Sequence, residues 1–83
     1  MKDKILAIIQ DVTGVSIENI DEDKLIESGL LKSNTVVGII VAIEDEFSVE
    51  VDVDDIPDNF NRVEDIEKLI RHYLRQKQEE KAQ

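Results

Sequence analysis

The sequence predicts an all-α fold: a small bundle of three main helices plus one short helix, with a long loop between helices 1 and 2. Three observations predict it. Apolar residues recur at helical spacing in three separate segments, around residues 5–12, 36–47 and 63–74. The stretch SVEVDVDDIPDNF offers one alternating run, Val49, Val51 and Val53, but a lone strand has no sheet to join. At 83 residues the chain is one domain, and chains of that size bury only about 60–65% of the surface their unfolded state exposes.

In the first helix, Ile5, Ile8, Ile9 and Val12 fall at i, i+3, i+4 and i+7. Asp3 is its expected N-cap, and Gly14 is placed to end it in a left-handed conformation. The connection VSIENIDEDKLIESGLLK follows, carrying Val15, Ile17, Ile20, Leu25, Ile26, Leu30 and Leu31. A loop of that length needs a structural or functional reason. Its apolar residues are expected to pin it across the helices, with Gly29 making a tight turn just before Ser33.

The second helix is predicted from Ser33 to Phe47. Val36, Ile40, Ile43 and Phe47 form one stripe, with Ile39 beside it, while Val37 and Val41 lie on a different side. A helix apolar over most of its circumference is central to the core or offers a partner surface. Gly38 interrupts it at a cost of about 1 kcal/mol relative to Ala. Close backbone packing is one explanation, and a partner approaching a side-chain-free spot is the other.

Asn61-Arg62-Val63-Glu64 fits a variant capping box at the start of the last helix. Val63, Ile66, Leu69, Ile70, Tyr73 and Leu74 mark its buried face. Lys68, Arg71 and Arg75 complement the dipole toward its C-terminal end, and His72 lies off the apolar face as a surface residue. The domain is expected to span residues 1–75, with the polar residues 76–83 fraying. A short helix is expected near Asp54–Asp58, broken by Pro57, with Phe60 anchoring the entry to the last helix.

Composition narrows the function. Twenty acids against ten Lys plus Arg give a formal net charge of -10, which disfavours nucleic acid and anionic membranes. Such a charge instead steers a small protein toward basic partner surfaces. The acids cluster: Glu44, Asp45, Glu46, Glu50, Asp52, Asp54, Asp55 and Asp58 run without an intervening Lys or Arg. Cysteine is absent, which excludes a disulfide framework and a thiolate metal site. The start MKDKILAIIQDVTG is too short and too charged for a signal peptide, and no apolar run approaches the roughly 20 residues that span a bilayer. The chain is expected to be a cytoplasmic monomer with no membrane insertion.

Calcium and catalytic sites fail on residue type. A calcium loop beginning at Asp52 would need a ligand at Ile56, Gly at Pro57 and Glu at Val63; one beginning at Asp21 fails at Leu25. No metal site is expected. Nucleophilic catalysis needs a Ser or Cys beside a base, and the single His is far along the chain from every Ser. The chain is not expected to be an enzyme.

Ser33 remains. A Ser before a helix is a default N-cap and needs no function. Its context adds more. The run Leu25-Ile26-Glu27-Ser28-Gly29-Leu30-Leu31-Lys32-Ser33, continued by VVGIIVAIEDEF, resembles the acyl carrier protein family, whose pattern is an apolar loop with Gly, then Asp-Ser-Leu, an apolar helix and an acidic end closing in Phe. The downstream VEVDVDDIPDNFNRVEDIEKLI resembles that family's continuation into its last helix. The likeness covers roughly residues 3 to 75 and rests on the combined spacing of Gly29, Ser33, Phe47, Phe60 and the final helix.

The resemblance implies that Ser33 carries a 4'-phosphopantetheine arm, transferred from coenzyme A by a phosphopantetheinyl transferase, on which acyl or aminoacyl groups ride as thioesters. It implies partner enzymes that load and transfer those groups in lipid or secondary-metabolite synthesis. Expected partner-binding residues are Lys32, Asn34, Val37, Gly38, Val41, Glu44 and Asp45. The chain departs from the family at Lys32, where Asp is usual, at Asn34, where Leu or Met is common, and at Thr35 and Gly38, where housekeeping carriers tend to be acidic. Those departures imply a specialised carrier with its own partners. An unmodified interaction module that keeps the carrier fold is the alternative.

Overall fold

The computed structural model describes residues 1–52, 54 and 60–81, with side chains through Lys77. Among the described residues there are three α-helices: α1, Lys2–Thr13; α2, Ser33–Phe47; and α3, Val63–Lys81. A 3-10 turn, Ile17–Asn19, follows α1. Among the described residues there is no strand, so the architecture is the small all-helical bundle that the periodicity predicts.

The helix starts differ from expectation in an instructive way. The Met1 carbonyl already accepts the N–H groups of Lys4 and Ile5, at 3.0 and 3.2 Å. The helical ladder therefore begins before Asp3, which sits inside the first turn rather than capping it. There its charge still favours the positive end of the helix dipole. At the other end, Gly14 adopts φ 77° and donates its N–H to the Gln10 carbonyl at 2.8 Å. Left-handed backbone of this kind is nearly free for Gly and costly for other residues.

The core forms where α1 meets both α2 and α3. Ile5, Ile9, Leu25, Ile39, Ile43, Phe60, Val63, Ile66 and Ile70 are almost wholly shielded from water. Each such side chain contributes about 1.5–3 kcal/mol of burial free energy. The buried line of α2 runs through Ile39 and Ile43, with Val36, Ile40, Ala42 and Phe47 partly buried beside it. It lies slightly around the helix from the stripe that the sequence spacing suggests.

The long loop is pinned as its composition suggests. Ile20, Leu25 and Leu31 are buried and Val15 and Leu30 pack on the core, whereas Ile17 and Ile26 stay exposed. Gly29 takes φ 85° and donates to the Ile26 carbonyl at 3.0 Å, the tight turn expected ahead of α2.

Asn61 is not the cap of α3. The Arg62 carbonyl accepts the first i→i+4 bond, from Ile66 at 3.1 Å, so the helix starts one residue later than the Asn61 reading requires. The Asn61 side chain turns instead to the long loop: its Oδ1 accepts the N–H groups of Ile26 and Glu27 at 2.9 and 3.1 Å. Helix α3 also continues past Arg75 to Lys81. Residues 76–81 contain no Gly, Pro or β-branched residue to stop it. Lys77 reaches back to donate to the Ser48 carbonyl at 2.8 Å.

Val49 lies in the core and Val51 packs against it, and the N–H groups of Val51 and Asp52 find side chains as acceptors. Val51 donates to Glu44 Oε2 at 3.1 Å and Asp52 to the Tyr73 hydroxyl at 3.0 Å. Val53 and most of the short helix expected near Asp54–Asp58 lie outside the described residues. Among the described residues, no helix is long and apolar enough to cross a membrane.

Candidate functional site

Ser33 is the first residue of α2, and it is exposed. The N-cap is Lys32, with extended backbone at φ -111° and ψ 171°. A lysine ammonium accepts no hydrogen bond, so the cap is made from the other side. The Thr35 hydroxyl accepts the Lys32 N–H at 2.7 Å and donates to the Lys32 carbonyl at 2.9 Å. Asn34 Oδ1 accepts the Thr35 N–H at 3.0 Å, and the ladder proper begins with Val36 donating to Lys32 at 2.8 Å. The default reading of Ser33 as a cap is thereby corrected. Its hydroxyl takes no part in holding the helix start.

The electrostatics of this end favour an anion. First-turn N–H groups of a helix have no intrahelical acceptor and carry the positive end of the macrodipole. Helix α2 has no acid in its first turn, and the exposed Lys32 adds a full positive charge beside Ser33. Helix N-termini hold phosphate groups by this combination.

From Ser33 a ridge runs down the outer face of α2 in steps of four: Val37, Val41 and Asp45. Residues four apart are neighbours on a helix surface. Val37 is 60% exposed and Val41 59%, the most exposed large hydrophobic residues among those described. Asp45 is exposed at the far end, and Asn34 and Lys32 flank the near end.

Two other expected partner residues are engaged within the fold. Gly38 faces α1, where a Cβ would stand 3.1 Å from Val12 Cγ1. Close backbone packing is thus the explanation of this glycine. Glu44 is half-buried and holds the Val51 N–H. Glu46 pairs with Lys4 at 3.3 Å, and the Lys4 ammonium stands 6.0 Å from the centre of the Phe47 ring. Sequence reasoning gave Thr35 no role beyond a missing acid, and treated Asn61 as a cap. A hydroxyl three residues after a cap position is the signal that points to Thr35; nothing local points to the loop contact of Asn61.

The model of the phosphopantetheine attachment site family matches residues 3–72. The chain belongs to that family. No curated protein matches it. The match takes in nearly all of α1, the loop before Ser33, all of α2 and the first half of α3. This chain is a phosphopantetheine carrier protein, and the prosthetic group of its family is covalently bound 4'-phosphopantetheine. The residues at the head of α2 fit that group: an exposed hydroxyl can form the phosphodiester, and the surrounding N–H groups and Lys32 suit its negative charge. Carrier domains of the family are not themselves catalytic; they are served by a phosphopantetheinyl transferase and by acyl-handling enzymes.

Proposed function

We propose that this chain is a specialised acyl carrier protein that carries acyl or aminoacyl intermediates as thioesters on an arm attached at Ser33. The observation that supports Ser33 is the freedom of its hydroxyl: it is exposed at the first position of α2 while Thr35 does the capping. On the transferase, Ser33 Oγ forms a bond to the phosphorus that bears pantetheine in coenzyme A. The phosphoanhydride P–O bond breaks, the adenosine bisphosphate half leaves, and the hydroxyl proton passes to a base of the transferase. The arm's terminal thiol then holds the cargo, and the protein contributes tethering, which raises the cargo's effective concentration near its enzymes.

The partner face in this reading is Lys32, Asn34, Val37, Val41 and Asp45, with Gly38 beneath the ridge and Glu44 at its edge. Apolar contact replaces much of the charge that housekeeping carriers of the family present there, which is the ground for a specialised set of partners. The carrier domain occupies residues 1–75, residues 76–83 form a polar C-terminal extension, and the protein works as a cytoplasmic monomer.

Intact mass tests the attachment. After incubation with coenzyme A and a promiscuous phosphopantetheinyl transferase, the protein is expected to gain the mass of one arm, and Ser33→Ala to gain none. Ser16, Ser28 and Ser48 serve as internal controls. No gain with several transferases, together with none on protein taken from its native cell, would favour the unmodified interaction module; a gain that survives Ser33→Ala would move the site elsewhere.

A further inference from the structure

The loop ahead of Ser33 is held from a distance. Asn61 Oδ1 accepts the N–H groups of Ile26 and Glu27 at 2.9 and 3.1 Å, and the Asn61 carbonyl accepts the Leu25 N–H at 2.7 Å. Two residues on, Val63 donates to the Glu22 carbonyl at 2.8 Å, and Arg62 pairs with Asp23 at 3.5 Å. Segments more than thirty residues apart in sequence are thus clasped along their backbones. Asn61 makes a firm post because the residues around it are fixed: Phe60 and Val63 are both 1% exposed.

The clasp connects to Ser33 through a short relay. The Leu25 carbonyl accepts the Leu31 N–H at 2.9 Å, closing the turn around Gly29. Leu31 is buried, and Lys32, the next residue, is the cap of α2. Position therefore passes from Asn61 to Leu25–Glu27, then to Leu31, then to the residue that precedes Ser33.

We infer that Asn61 is a positioning residue for the attachment site, setting where the loop delivers the head of α2 and hence how Ser33 is presented to the transferase. The inference rests on the Ser33 reading for its functional half and on the clasp for its structural half. The Ile26 and Glu27 amides lie at the surface, so water can take over from a deleted side chain. Loss of Asn61 therefore loosens placement more than it unfolds the domain.

Asn61→Ala removes the acceptor, and Asn61→Asp keeps an oxygen able to accept both N–H groups. Amide hydrogen exchange on the unmodified proteins is expected to run about tenfold faster at Ile26, Glu27 and Leu31 in Asn61→Ala, with the α1 and α3 core amides unchanged. Asn61→Asp is expected to keep wild-type protection at physiological salt, where the added surface charge is screened. The kcat/KM of a phosphopantetheinyl transferase on Asn61→Ala is expected to fall several-fold, and to recover in Asn61→Asp. Unchanged exchange at Ile26, Glu27 and Leu31 overturns the clasp. Faster exchange with undiminished modification overturns the positioning role. A wild-type protein that gains no arm overturns the Ser33 reading and the presentation role with it, while the exchange data still report on the clasp separately.

Discussion

Gly38 allows the contact between α1 and α2 to be measured as an energy. Replacing a mid-helix glycine by alanine stabilises a helix by about 1 kcal/mol, because the alanine backbone loses less freedom on folding. At this position the new methyl would meet Val12 Cγ1 at 3.1 Å, inside the roughly 3.5–4.0 Å at which carbon atoms attract best. Val12 is β-branched and stiff about χ1 in a helix, so relief must come from a shift of a few tenths of an ångström in the end of α1. Overpacking of a well-filled contact costs about 1–3 kcal/mol, and Val12 is only half-buried, which puts the cost at the low end. The two effects should cancel, leaving Gly38→Ala within about 0.5 kcal/mol of wild type. In a Val12→Ala background the obstruction is gone and the full helical gain of about 1 kcal/mol should return. Urea denaturation reads this as a midpoint shift of about 0.5–1 M between the two backgrounds, and the double-mutant cycle removes whatever Val12→Ala costs by itself. Equal gains in both backgrounds would refute the close approach. Loading of Ser33 should be the same in all four proteins, since the added methyl points at α1 and not at the outer ridge.

Two further outcomes test the core and its edge. Ile39 is wholly buried, so Ile39→Ala should cost about 2–5 kcal/mol out of a total of roughly 4–12 kcal/mol for a domain of this length; a thermal melt lowered by under about 1 kcal/mol equivalent would contradict the packing described. Lys2 lies 2.6 Å from Glu22, and the hydrogen bond to Glu22, with that carboxylate's charge, raises its pKa above the ordinary 10.5. A raised folded-state value means the contribution is fully present below 10.5 and lost as pH climbs through the folded value. The stability advantage of wild type over Lys2→Gln should therefore hold at neutral pH and vanish at strongly alkaline pH, as followed by denaturation midpoints across that range; an advantage that persists there would refute the ion pair.

Much of this architecture is legible in one dimension because its helices are written in periodic apolar residues. The bounds of α2 follow from the apolar run after Ser33, and Gly14 and Gly29 turn the chain where only glycine does so cheaply. Less legible is what depends on partners distant in sequence. Asn61 satisfies every local criterion for a cap, yet its oxygen goes to Ile26 and Glu27, 35 and 34 residues away. Glu44 reads as one acid in a surface cluster until Val51 folds back to donate to it. The exposure of Val37 and Val41 was legible only as a choice between core and partner face, because a helix apolar nearly all round does not announce which side its neighbours will cover. Ser33 itself was legible as a candidate from its spacing to Gly29 and Phe47; that its hydroxyl stands idle in the fold required coordinates.

With Thr35 holding the first turn of α2, attachment at Ser33 as proposed would leave folding and esterification to different hydroxyls two residues apart. Under that proposal position 33 could mutate without warning from the folding machinery: a chain that lost its serine would still fold, survive proteolysis and occupy its partners while delivering nothing. Such a blank would compete with working copies, so a cell expressing both should suffer more than one in which half of the protein is simply missing.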